Sequence, residues 1–275
     1  MSRLTEVLGS LRESGRKAVI PYVVAGDPTE ALTVPLLQAL VASGADVLEV
    51  GVPFSDPMSE GPTIQKGHER ALAGGTSLRS TLAIIAEFRK HNQDTPIVLM
   101  GYANPLERLG YSVIANLCAD AGVDGLITVD LPPEEVEAMN RELQRVDIDN
   151  IFLISPTTSD ERVATITAQA SGFIYYVALK GVTGAGHLDT AAVESHLSLI
   201  RQHTDLPIAV GFGIKDGETA GTVAKCSDAV VVGSALVDCI ADAAASGSDH
   251  DNVIQVGAKL ISEIRSGVNL ATSQQ

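Results

Sequence analysis

Apolar residues in this chain come in short unbroken runs, separated by longer stretches in which they recur at three- and four-residue intervals. Eight runs stand out: AVIPYVV (18–24), DVLEVGV (46–52), PIVLMG (96–101), DGLITVD (124–130), NIFLIS (150–155), FIYYVAL (173–179), PIAVGF (207–212) and DAVVVG (228–233). Continuous apolarity over so short a run is the pattern of a parallel strand covered on both faces. The intervening pattern predicts helices over 29–44, 77–91, 132–145 and 160–171, with an amphipathic helix at 1–17 and a closing one at 252–266. Strand-then-helix units with right-handed crossovers close into a (β/α)8 TIM barrel. A doubly wound open sheet satisfies the same periodicity, but the count of eight favours the barrel. No linker rich in Pro, Gly or Ser divides the 275 residues. We therefore expect one domain over 1–275, with 244–252 a polar loop and 268–275 a frayed tail.

Composition narrows the function. Nineteen basic against thirty-four acidic residues give a formal charge of −15, a surface that repels nucleic acid. The opening helix lacks a signal peptide's apolar centre and no run is long enough to span a membrane, so a cytoplasmic protein is expected. Three cysteines, Cys118, Cys226 and Cys239, are too scattered for a disulfide framework and read as reduced core thiols. The histidines His68, His91, His187, His196, His203 and His250 show no metal-ligand spacing, and most read as surface residues.

Barrel enzymes carry their chemistry on the loops after the strands. Glu49 lies near the end of an apolar run, where a carboxylate is costly unless paired or used, and burial raises its pKa towards the range suited to proton transfer. A structural glutamate bonded to a backbone amide is the alternative. Glu60 follows in the loop PFSDPMSEGPTI and by itself reads as a solvated charge. The late loops GVTGAG (181–186) and GFGIKDG (211–217) and the segment VVGSALVD (231–238) bring glycines and a helix start together. Backbone N–H groups there can hold a phosphate without lysine, even on an acidic protein.

The segments LEVGVPFSDPMSEGPTIQ, MGYANP, GLITVDLPPEE, FLISPTTSDER, YYVALKGVTGA and VGFGI together resemble the tryptophan synthase alpha chain, along nearly the whole length. The resemblance implies a lyase that cleaves indole-3-glycerol phosphate to indole and glyceraldehyde 3-phosphate. It implies no cofactor in this chain and a pyridoxal-phosphate beta subunit as partner in an α2β2 complex with allosteric coupling. By the same resemblance Glu49 is the acid/base residue and Glu60 the acid beside the indole nitrogen. Tyr22, Ile64, Leu99, Tyr175 and Phe212 line the substrate, and Thr183 bonds the second acid when its loop closes. Gly184, Gly213, Gly233 and Ser234 bind phosphate, while Pro53, Phe54, Asp56, Pro57, Asn104 and Pro132 face the beta subunit. Three positions depart from the pattern. Val24 and Ala178 replace a common threonine and serine, and Glu60 stands where the family has aspartate. The longer arm implies either a loop adjusted to it or a weakened, ligand-binding subunit that activates a beta partner.

Overall fold

The computed structural model describes residues 2–178, 190–211 and 213–273. Strands β1 (Ala18–Val24), β2 (Leu48–Gly51), β3 (Ile97–Gly101), β4 (Gly125–Thr128), β5 (Asp149–Ile154), β6 (Ile174–Val177), β7 (Ile208–Gly211) and β8 (Ala229–Val232) all fall within or at the edge of the predicted runs. Each pairs in parallel with the next, and β8 returns to β1, closing the barrel. Around it lie α1 (Arg3–Glu13), α2 (Glu30–Ala42), α3 (Pro62–Ala73), α4 (Leu78–Arg89), α5 (Ala103–Leu109) and α6 (Tyr111–Ala121). They are followed by α7 (Glu137–Arg145), α8 (Asp160–Gln169), α9 (Thr190–Ile200), α10 (Gly217–Ala224), α11 (Ser234–Ala245) and α12 (His250–Thr272). No described helix is long and apolar enough to cross a membrane.

Strand alternation sorts the apolar residues into two cores. Val50, Leu99, Leu126 and Val210 pack outward with helix residues such as Leu36, Ile85 and Phe88. Val98, Ile127, Ile151, Ala209 and Val231 fill the barrel, joined by Leu4, Leu8 and Leu11 of α1. The apolar stripe of the opening helix therefore plugs one end of the barrel, leaving the other end for ligands.

The plugged end is tied by aspartates placed just before strands. Asp46 accepts from the Val19 N–H at 2.9 Å, Asp124 from Ile97 at 2.8 Å and Asp228 from Ile208 at 2.9 Å. Each also meets a cation: Arg265 at Asp46, Arg89 and Arg3 at Asp124, and Arg201 at Asp228. Each carboxylate thus satisfies a backbone donor at the start of the preceding strand while the arginine balances its charge.

Two expectations need correction. The helix predicted at 132–145 begins only at Glu137, because the prolines ahead of it sit in a turn. The expected frayed tail is helical through Thr272. Val268 and Ala271 are buried there, and α12 lies so close to α10 that a Cβ on Gly267 would stand 1.9 Å from the Gly217 carbonyl oxygen. Backbone contact of this kind anchors a helix end whose sequence looks polar and terminal.

Candidate active site

The open end of the barrel collects the acids. β1 pairs with β2 so that Tyr22 lies beside Glu49, and Glu49 lies beside Val98 of β3. Val98 belongs to the inner core, so the Glu49 side chain shares that inward face. Glu49 is 1% exposed, and neither carboxylate oxygen has a hydrogen-bond partner among the described residues. The alternative of a structural glutamate bonded to a backbone amide therefore fails. Burial pushes its pKa up to about 8, with the nearby Glu60 charge adding to the effect. Such a carboxyl carries a proton at neutral pH and can both give and take one.

Glu60 is not a solvated charge. Its side chain is 6% exposed and its Oε2 lies 2.6 Å from His68 Nε2 on α3. The Phe54 N–H donates to His68 Nδ1 at 3.0 Å, and the Tyr22 hydroxyl lies 3.3 Å from Nε2. Gln65, one helical turn before His68, donates to the Glu60 carbonyl at 2.9 Å. Tyr102 completes the enclosure: its hydroxyl accepts from the Ser59 N–H at 3.4 Å, and its pKa rises to about 12 through burial and then the Glu60 charge. The loop after β2 is thus held by α3 and by the residue after β3. His91, His203 and His250 are exposed, as expected of most of the histidines, whereas His68 is the exception at 1% exposure.

Tyr22 is buried and Tyr175 half-buried, and the pKa of each hydroxyl is raised well above the ordinary range by burial and by both glutamates. Each ring sits over a glycine of the following strand. A Cβ on Gly51 would come 2.2 Å from the Tyr22 oxygen, and one on Gly211 would come 2.7 Å from the Tyr175 oxygen. Gly51→Ala is expected to displace Tyr22 and to cost about 1–3 kcal/mol of stability, with a roughly tenfold or greater fall in kcat/KM. Unfolding curves and steady-state rates check both figures.

Leu99 is a correction. Strand parity sends it outward into the helix layer, where it is fully buried, and Met100 is the half-buried residue of β3 that packs against the cluster of Tyr22, Val24, Ala71 and Val237. Ile64 packs beside Tyr22 and Met100, and Val24 beside Ala71 and Val237, so an apolar side chain at 24 suits its surroundings. A Cβ on Gly233 would meet Ile64 at 3.6 Å and Tyr22 at 3.8 Å, which sets the start of α11 at the edge of the same mouth. Gly233 gives α11 no side-chain cap, Ser234 is exposed, and Gly213 adopts φ +41 just after β7. Thr183, Gly184 and Phe212 lie outside the described residues.

The residues of the beta-facing group lie on neighbouring loops. Asp56 and Asn104 are exposed, Phe54 and Pro132 half-buried, and Pro53 and Pro57 buried. Phe54 stacks on Tyr102 at 4.9 Å, so its half-buried ring supports the acid loop. Met58 beside it is 74% exposed.

Two enclosed acids at the mouth of a parallel (β/α)8 barrel, one of them able to carry a proton at neutral pH, define an acid–base enzyme of the barrel class. The family described as tryptophan synthase alpha chain matches residues 8–266, so the chain belongs to that family, a lyase of tryptophan biosynthesis. It is 56% identical over 237 residues to the tryptophan synthase alpha chain of Nitrosococcus oceani, covering 86% of this chain and 88% of that one. It is 50% identical to that of Thiobacillus denitrificans, covering 100% and 98%. The crystal structure of tryptophan synthase subunit alpha from Legionella pneumophila superposes with a TM-score of 0.91 at 42% identity, covering 98% of this chain and 99% of that one.

Proposed function

We propose that this chain, working in the cytoplasm, cleaves indole-3-glycerol phosphate to indole and glyceraldehyde 3-phosphate. The observation that carries the reading is the buried Glu49 carboxyl, which has no hydrogen-bond partner among the described residues and whose pKa is pushed up to about 8 by burial. Protonated Glu49 gives its proton to indole C3, which turns the ring into an electron acceptor. Positive charge then develops on the ring nitrogen and is balanced by Glu60. The Glu49 carboxylate takes the proton of the glycerol hydroxyl next to the ring, the carbon–carbon bond breaks, and its electron pair restores the aromatic ring. One proton is given and one recovered, so Glu49 ends as it began.

Tyr22, Ile64, Met100 and Tyr175 form the wall for the indole, with Phe212 and Thr183 assigned by resemblance. The uncapped first turn of α11 at Gly233 and Ser234, with Gly213 and Gly184, receives the phosphate. Every step moves protons and one electron pair within the substrate, so the scheme calls on no resident cofactor in this chain. Pyridoxal phosphate belongs to the beta partner. As an alpha chain it works with a beta subunit, which we place in an α2β2 complex against Phe54, Asp56 and Asn104.

Steady-state cleavage of indole-3-glycerol phosphate, measured for the chain alone and with a tryptophan synthase beta subunit, tests the proposal. Release of glyceraldehyde 3-phosphate that rises with the partner is expected. No release in either condition overturns it.

A further inference from the structure

We propose that His68 is the positioning residue for Glu60, so that the loop acid and the helix histidine act as one unit. The inference rests on the reading of Glu60 above and adds to it a fixed hydrogen-bond direction. A backbone N–H can only donate, so the Phe54 amide 3.0 Å from Nδ1 requires that nitrogen to present its lone pair. The ring proton then sits on Nε2, 2.6 Å from Glu60 Oε2, and is donated to the carboxylate. With the proton on Nδ1 instead, two donors would face each other across 3.0 Å while Nε2 and the carboxylate faced each other as two acceptors.

The arrangement accounts for the glutamate. The His68 ring is held by α3 and is 1% exposed, so its Nε2 is a fixed point. Glu60 precedes the first helical residue by two positions and is tied through its carbonyl to Gln65. Its side chain must span the gap from that backbone to Nε2. An aspartate would fall short by roughly one bond length, far enough to lose a 2.6 Å contact. The extra methylene thus brings the carboxylate to a tether instead of leaving it misplaced. The Tyr22 hydroxyl, 3.3 Å from Nε2, and Tyr102, beside the Glu60 charge, border the unit on two further sides.

The test compares His68→Leu, His68→Gln, Glu60→Gln and the double variant His68→Leu/Glu60→Gln in the complex with the beta subunit. His68→Leu is expected to lower kcat roughly 10- to 100-fold, the scale of one hydrogen bond to a charged group, with KM changing less than about threefold. His68→Gln, which returns an N–H near the place of Nε2, is expected to recover kcat to within about fivefold of the unaltered chain. In the Glu60→Gln background, adding His68→Leu is expected to cost no more than about twofold further. An equal cost in both backgrounds, or none in the unaltered one, overturns the proposal.

A second readout needs no activity. Nitrogen-15 NMR of the His68 ring in the full chain is expected to find Nδ1 bare and Nε2 protonated, with the Nε2–H signal moving on Glu60→Gln. A proton on Nδ1 overturns the proposal. Absence of cleavage by the unaltered chain, with this ring pattern intact, would sink the proposed reaction and leave the dyad standing.

Discussion

Replacing Glu49 by glutamine is expected to lower kcat by about 10²- to 10⁴-fold, the usual contribution of a positioned acid/base group. The same change is expected to make the protein more stable at alkaline pH. In the unfolded chain this carboxyl ionises near its ordinary value of 4.5, whereas in the folded chain it does so at about 8. Between those values the folded state holds a proton that the unfolded state has released. Stability is therefore full below the lower value and falls as pH rises through the upper one. Glutamine cannot ionise, so it removes this loss, which amounts to roughly 5 kcal/mol once the pH passes about 9. Unfolding curves for the two proteins should share one pH trend below about pH 4, separate steadily between about pH 5 and 8, and run parallel again above about pH 9. Parallel curves across the whole range would mean that Glu49 is not a perturbed carboxyl.

The second large effect belongs to the plugged end of the barrel. Asp124 holds the buried Arg89 guanidinium at 2.7 Å, caps the Ile97 N–H at 2.8 Å and meets Arg3. Arg89 also donates to the Thr95 carbonyl at 2.7 Å and to the Gly122 carbonyl at 2.9 Å, and burial brings its pKa down to about 10. Asp124→Ala leaves a buried cation without its counter-charge and a strand N–H without an acceptor. A loss of about 3–5 kcal/mol is expected, a fall in melting temperature on the order of 10 °C. Substrate KM should stay within about twofold, because the change lies at the end of the barrel opposite the acids. A large change in KM would show that the two ends are coupled.

How far the sequence could be read depended on the kind of signal. Eight apolar runs sufficed for the barrel because burial on both faces leaves little else for such runs to be. Glu49 was legible for the same reason, since a carboxylate within an apolar run has few innocent explanations. Leu99 was misassigned because adjacent apolar residues of one strand differ only in parity. The register of Glu49 with Val98 is what turns Met100 inward. His68 was missed because its partner lies eight positions back in a loop, and no periodicity links a loop acid to a helix histidine. The closing helix outran its expected end because its hold on α10 comes from two glycines, Gly217 and Gly267, which have no side chain to advertise a contact.

Two glycines at the mouth carry a further consequence. Gly51 and Gly211 are the empty places behind the rings of Tyr22 and Tyr175, on separate sides of the barrel. The placing of those two rings is therefore adjusted from behind, by the room that each glycine leaves for its tyrosine. A lineage exploring broader or narrower planar substrates could keep both tyrosines and both acids and change only the depth of these two recesses. Selectivity for ring size would then drift through positions that any inspection of contacts with a bound molecule would pass over.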